Sequence, residues 1–244
     1  MKIVATIEAR MNSSRLPGKV LLTVQGKTIL ELLIERLQKV RLIDEIVVAT
    51  TRNNNDDLIE DLCKKNNIRI FRGSEKDVMG RVIEAAKSVS ADIIVEITGD
   101  CPLIDPSIVE QILKIYIANK VDYVGNALVR SYPDGMDVQV FSLKTLENSY
   151  NMTNDKLDRE HVTLHIRNNP EIFSHINVVA PPEIFNPDLG LTLDEKDDFI
   201  LIKKIFEKFH NENKYFSCLE ILNYLEENKH LYLINKHIKR KGNS

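Results

Sequence analysis

The segment Ile3-Val4-Ala5-Thr6-Ile7-Glu8-Ala9-Arg10-Met11-Asn12-Ser13-Ser14-Arg15-Leu16-Pro17-Gly18-Lys19 decides the reading of this chain. Its first five residues are apolar or β-branched and read as a short buried strand. All periodicity then stops. Three cations, two hydroxyls and a glycine follow between Ala9 and Lys19. Backbone amides beside small residues form nests for anion oxygens. Arginine adds planar, bidentate donors, and lysine adds a compact point charge. A cationic loop directly behind a strand is therefore a candidate phosphate site. It is neither a Walker A loop nor a dinucleotide fingerprint. Gly26-Lys27-Thr28 has the right ending, but Leu21 stands where the first glycine is needed, and no GxGxxG occurs.

Outward from this loop, strand and helix alternate. Thr28-Ile29-Leu30-Glu31 has the form of a capping box, and Ile29, Leu32, Leu33, Leu37 and Val40 mark one helical face. Residues 45–50, 68–71 and 93–97 read as further strands. Helical stripes lie between them, and another helix opens at Pro106. Such alternation predicts right-handed βαβ crossovers and a mostly parallel, Rossmann-like sheet with helices on both faces. Ligands of open sheets bind beyond the carboxyl ends of the strands. Attention therefore falls on residues 8–19, Arg72-Gly73-Ser74 and Gly99-Asp100.

The rhythm breaks after Tyr123. Five prolines and short strand candidates at 137–141 and 175–179 suggest a small lobe over residues 126–187. Leu191-Thr192-Leu193-Asp194 reads as a returning strand. The expected organisation is one domain over 1–244. Residues 1–125 and about 188–210 form its core, 126–187 an acceptor and dimerisation lobe, and 211–244 terminal helices.

Composition narrows the function class. The formal net charge is −3, with 43% hydrophobic and 28% charged residues, which suits a globular fold and argues against a general nucleic-acid binder. The basic tail from Lys236 to Lys241 reads as a solvated end. Cys63, Cys101 and Cys218 are far apart and match no zinc spacing, so reduced thiols are expected. No apolar run reaches the ~18 residues of a membrane span. A cytoplasmic protein that does not bind membranes is expected.

Four stretches together carry a resemblance: Ala9 to Lys19, Phe71-Arg72-Gly73-Ser74, Thr98-Gly99-Asp100-Cys101-Pro102-Leu103-Ile104-Asp105, and Asp158-Arg159-Glu160-His161-Val162-Thr163. The chain resembles the spore-coat polysaccharide branch of the cytidylyltransferases, which is similar to CMP-sialic acid and CMP-Kdo synthetases. The resemblance implies a nucleotidyltransferase fold, CTP as substrate and Mg²⁺ as cofactor. It also implies transfer of CMP to an acidic sugar or small phosphorylated acceptor, release of pyrophosphate, and a homodimer.

By that resemblance Arg10, Lys19 and Arg15 hold the β and γ phosphates and steady the departing pyrophosphate. Thr6, Glu8, Ala9, Ser13, Ser14, Arg72, Gly73, Thr98 and Gly99 fall where the nucleotide is contacted. Asp100 and Asp194 match metal ligands. Mg²⁺ takes one or two carboxylates and fills its shell with phosphate oxygens and water. Asp105 before Pro106 reads as a helix cap. Arg159, Glu160, His161 and His165 are expected on one helix, and with Asp137 the first three face the acceptor. Asp137 and His161 are placed to orient or deprotonate it. Arg130, Arg159 and Arg167 suit an anionic acceptor. His161 and His165 are four apart, but no glutamate follows His161, so zinc is not expected. Asp77 and Arg81, a turn apart, suit a surface ion pair.

Three other functions fit parts of the pattern. A nucleotidyltransferase using GTP and a sugar 1-phosphate would share the loop and both aspartates. A glycosyltransferase of similar topology would carry a DxD motif, but here Asp100 is followed by Cys101-Pro102. A non-catalytic nucleotide-binding module would need neither aspartate.

Overall fold

A computed structural model describes residues 1–209, 213 and 215–240. The three parallel crossovers expected from the alternation are present. Strand β1 (Ile3–Glu8) pairs in parallel with β4 (Glu45–Thr51) on one side and β6 (Ile93–Thr98) on the other, and β4 pairs in parallel with β5 (Arg69–Gly73). Helices α1 (Ile29–Leu37), α2 (Asp57–Lys65), α3 (Val78–Ser88) and α4 (Pro106–Ala118) connect and cover them. The local signals explain the boundaries. Thr28 and Glu31 close a reciprocal capping box on α1, Asp77 caps α3, and Asp105 caps α4. Between the cationic loop and α1 lies a two-stranded ribbon, β2 (Thr23–Val24) with β3 (Lys27–Thr28), which hydrophobic periodicity did not reveal.

The lobe is more integrated than expected. Its strands β8 (Gln139–Ser142) and β9 (His175–Asn177), with β7 (Tyr123–Gly125) immediately before the lobe, extend the main sheet to seven strands in the order β5-β4-β1-β6-β8-β7-β9. β8 runs antiparallel to β6 and β7, the one reversal in an otherwise parallel sheet. Helices α5 (Leu143–Met152), α6 (Lys156–Glu160) and α7 (Leu164–Asn168) complete the lobe.

Two expectations need correction. Residues 191–194 do not form a strand; this stretch is held by a single bridge between Asp134 and Gly190 and by hydrogen bonds to Asp100. Arg159 to His165 is not one helix either. It breaks between α6 and α7 at Val162, whose φ of 23° no helix accommodates.

The chain then runs through α8 (Lys196–Phe209), α9 (Cys218–Glu227) and α10 (Lys229–Tyr232). Residues 210–212, Lys214 and 241–244, including Lys241 of the expected basic tail, lie outside the described residues. Two apolar cores sandwich the sheet, because alternate residues of β1 and β6 serve opposite faces. Ile3, Ala5 and Ile7 pack with α1, α4 and α8; Val4 and Ile94 pack with α3 and the lobe. The buried Arg36 ties the terminal helices to this frame by donating to the carbonyls of Ile104 and Phe216 at 2.7 and 2.6 Å.

Candidate active site

At the carboxyl ends of β1 and β6 opens a cleft of about 370 Å³. One side is the cationic loop, with Ala9, Arg10, Ser13, Ser14, Arg15 and Lys19; Thr98, Gly99, Asp100 and Asp194 lie opposite. The lobe closes the far wall through Glu160, His161 and Arg167.

The loop has a built skeleton. The carbonyl of Met11 accepts from the amides of Ser13 at 2.9 Å and Gly18 at 2.8 Å, curling the chain into a compact turn. Gly18 closes it at φ 71°, in the left-handed region that glycine adopts freely. Asp56, 1% exposed, anchors the loop from outside by accepting from Met11 N at 2.7 Å, and it also takes Thr51 N and Thr51 Oγ1.

The charged groups meet at one point. Lys19 begins a short 3-10 turn, Lys19–Leu21, that buries its stem. Its Nζ donates to Asp100 Oδ2 at 2.7 Å and Asp194 Oδ1 at 3.0 Å. Arg15 Nη2 lies 2.7 Å from the same Asp194 oxygen. Burial disfavours the Lys19 ammonium, but Asp100 and Asp194 outweigh it and hold its pKa above the usual lysine range. Burial likewise disfavours ionised Asp100, yet Lys19 brings its carboxyl below the usual value. Both partners stay charged. Arg10 lies at the mouth with its Nη1 3.7 Å from Glu75.

Asp194 is positioned by residues that the sequence reading passed over. Asp198, fully buried, accepts from the amides of Asp194 and Glu195 at 3.0 and 2.9 Å. Arg240 grips Asp198 with both terminal nitrogens, at 3.0 and 2.7 Å, and Asn235 donates to it at 2.8 Å. The Asp194-x-x-x-Asp198 spacing at a helix start was the available signal. Nothing local pointed to Arg240.

Other expected site residues are placed elsewhere. Thr6 is fully buried beneath the cleft. Arg72 bonds Asp57 and Glu60, both at 2.6 Å, so its guanidinium turns to α2 and away from the cleft. Gly73 does not line the cleft and lies in a separate hollow with Ser74 and Asp77. Arg159 stacks over Tyr150 at 3.2 Å and donates to the carbonyls of Tyr150 and Thr153, so it braces the lobe. Asp137 does not line the cleft; burial, with Asp134 beside it, pushes its carboxyl up to about 7. The Asp77–Arg81 surface pair does not form. Asp77 caps α3, while Arg81, 3% exposed, donates to the Ser74 carbonyl. Arg81, Glu96, Gln139 and Thr163 line the cleft although the sequence reading assigned them no site role. Glu96 carried a signal, a charge in the middle of an apolar strand.

Residues 4–240 match the cytidylyltransferase family model. The chain belongs to the cytidylyltransferase family. It is therefore an enzyme of the nucleotidyltransferase class. A solved cytidylyltransferase from Leptospira borgpetersenii is 33% identical and superposes with a TM-score of 0.91, covering 98% of this chain and 100% of that one. The spore coat polysaccharide biosynthesis protein SpsF of Bacillus subtilis is 32% identical over 93% of this chain and 95% of its own. The 3-deoxy-manno-octulosonate cytidylyltransferase of Geobacter metallireducens is 32% identical over 67% of this chain and 69% of its own. No helix among the described residues is long and apolar enough to cross a membrane.

A divalent ion is a further question. Among the described residues no group of three or more side chains of metal-binding type converges. The fit rests instead on Asp100 and Asp194, two hard carboxylates that already meet on one cation. Two is the number that Mg²⁺ takes beside phosphate oxygens, so the residues fit it.

Proposed function

We propose that this cytidylyltransferase transfers CMP from CTP to a small anionic acceptor, with Mg²⁺ and release of pyrophosphate, in the synthesis of a surface glycan. The observation that carries the reading is the meeting of Lys19 with Asp100 and Asp194, reinforced by Arg15. Few arrangements other than polyphosphate chemistry call for clustered cations facing paired acids at the ends of parallel strands.

Nucleotidyl transfer asks the protein for position and charge more than for covalent help. The loop amides and Ser13 and Ser14 cradle phosphate oxygens. Arg10, Arg15 and Lys19 neutralise the charge that gathers on the pyrophosphate as it leaves. Asp100 and Asp194 would hold Mg²⁺, which when bound supplies charge neutralisation between phosphate oxygens. Lys19 gives up carboxylate partners and gains phosphate ones. The lobe wall, with Glu160 and His161, faces the acceptor. The kinship with SpsF supports the glycan context. The same reading includes a homodimer, and a monomer by light scattering would remove that part.

Release of pyrophosphate from each of the four nucleoside triphosphates, with Mg²⁺ and a panel of sugar acids and sugar phosphates, tests the reaction. Turnover confined to CTP is expected, and turnover confined to GTP would defeat it.

A further inference from the structure

Below the phosphate machinery, the floor of the cleft holds two acids that the reaction as derived leaves unused. In the parallel register Glu8 of β1 stands opposite Thr98 of β6, and Thr6 opposite Glu96. Residues two apart on a strand share a face, so Glu8 and Glu96 project from the same side of the sheet. Their side chains hydrogen-bond to each other. Two carboxyls in such contact resist ionising together, which favours a single proton held between them. Burial first, then the neighbouring acid, raises the Glu8 carboxyl well above its usual range; burial raises Glu96 as well.

The pair is tied to the lobe. Gln139 of β8 donates to Glu96 Oε2, and Gln139 Oε1 in turn accepts from Tyr123 Oη at 2.9 Å and Thr163 Oγ1 at 2.5 Å. Glu96 is therefore oriented by the elements that form the far wall, while the phosphate loop lies at the mouth. Glu8 Oε1 is left without a partner and shut off from water. The same is true of Nε on Arg81 and Nε on Arg167, and all three residues line the cleft. Unmet buried polar atoms are uncommon in folded proteins. Three around one cleft point to a ligand that completes them. Glu8 lines the cleft, and the two oxygens of its carboxyl are equivalent, so a hydroxyl entering the cleft can donate to either.

The unmet set selects the chemistry. One acceptor oxygen and two N–H donors remain. The acid pair carries one negative charge and the guanidiniums two positive ones. A sugar hydroxyl both donates and accepts, so it satisfies the carboxyl and a guanidinium together. An alkylammonium headgroup offers no acceptor and faces two like charges.

We propose that the Glu8–Glu96 pair is the specificity floor of the acceptor subsite, reading a hydroxyl of a polyhydroxylated, sugar-type acceptor that donates to Glu8 Oε1 and accepts from Arg167 or Arg81. This rests on the transfer reaction proposed above. It moves Glu8 from the nucleotide, where the sequence set it, to the acceptor.

The test uses the full chain with CTP and Mg²⁺. Pyrophosphate release is measured with a panel of sugar acids and sugar phosphates, and with choline phosphate and ethanolamine phosphate as the alkylammonium class. Calorimetry measures the CTP Kd separately. Glu8→Ala should lower kcat/KM for the sugar acceptor about 100-fold or more, since a site built to bond a hydroxyl loses most of its discrimination without it. Its CTP Kd should stay within threefold. Glu96→Gln, which keeps shape and tests the proton, should show the same split about tenfold, with a matching melting temperature as the folding control. Selective ¹³C labelling of glutamate side chains should show one carboxyl protonated at neutral pH in the parent and none in Glu8→Gln. Turnover of the alkylammonium phosphates alone overturns the proposal. So does turnover of no sugar-type compound, or a tenfold loss of CTP affinity in Glu8→Ala. If CTP itself fails to bind, the transfer reading falls first; if CTP binds and only the sugar arm fails, this inference alone falls.

Discussion

Lys19 and Asp194 stand 175 residues apart in the chain, yet their side chains meet at 3.0 Å, and Asp100 completes the contact at 2.7 Å. One ammonium thus occupies the point where two carboxylates converge. A divalent ion on the same oxygens would sit within a few ångströms of Nζ and be repelled by it. Under the reaction proposed above, Lys19 and the ion would compete until a triphosphate gave the lysine another anion to hold. Lys19→Met should therefore bind Mn²⁺ at least tenfold more tightly than the parent in the absence of nucleotide, measured by electron paramagnetic resonance of free Mn²⁺. The same variant should lose ~10²–10³ in kcat/KM, as expected for removal of a preorganised charge at a developing anion. Unchanged Mn²⁺ affinity would remove the competition.

Asp198 and Arg240 make the scaffold of Asp194. The pair is buried, with side-chain exposures of 0% and 7%, so breaking one partner strands the other charge. Arg240→Ala should cost about 3–5 kcal/mol in urea unfolding. Gly190 adds a second handle, because a Cβ there would fall 1.8 Å from Arg240 Nη2. Gly190→Ala should push the guanidinium off Asp198 and lower the urea midpoint in the same direction. Activity in either variant should fall through loss of the Asp194 position, seen as a higher Mg²⁺ requirement with little change in CTP affinity.

Asp56 anchors the cationic loop at the Met11 amide. Asp56→Ala leaves the amides of Met11 and Thr51 and the Thr51 hydroxyl without their shared acceptor, at about 1–3 kcal/mol for each group that stays buried. Loop mobility should raise the Kd for CTP, and hydrogen exchange should show faster amides over residues 9–18. A variant with unchanged exchange there would separate Asp56 from the loop.

Asp137 makes folding sensitive to pH. Burial first, then Asp134 and Glu96, push its carboxyl up, Arg130 and Arg167 oppose this, and the balance lies at about 7. A carboxyl raised on folding favours the folded state below its unfolded pKa near 3.8, and that contribution is lost as pH rises through about 7. Asp137→Asn, neutral throughout, should exceed the parent by about 1–2 kcal/mol at pH 5 and by up to a few kcal/mol at pH 8.5. Urea midpoints at the two pH values provide the check, and equal midpoints for both proteins at pH 8.5 would contradict it.

Much of the site was legible because its parts are local. Residues 9–19 stand out as a cationic loop by composition, Asp100 is marked by its place after a strand, and both line the cleft. Asp105 was readable as a cap and is one, bonding Ser107 N and Cys218 N. Arg72 misled for a physical reason. Its position at a strand end is right, but Asp57 and Glu60 on α2 capture its guanidinium, and strand position does not reveal that. The strand expected at 191–194 failed because Asp198 and Asp100 take up backbone amides that a ladder would otherwise use.

The sequence by itself determined the parallel sheet, the cationic loop and the kinship, since periodicity, caps and motif spacing are written within short windows. Only the tertiary structure decided which acids meet Lys19, that Arg240 holds Asp198 beneath Asp194, and that Glu8 and Glu96 share the floor of one cleft. Those depend on groups far apart in the chain being brought into van der Waals range by the packing of the sheet, which no local pattern encodes.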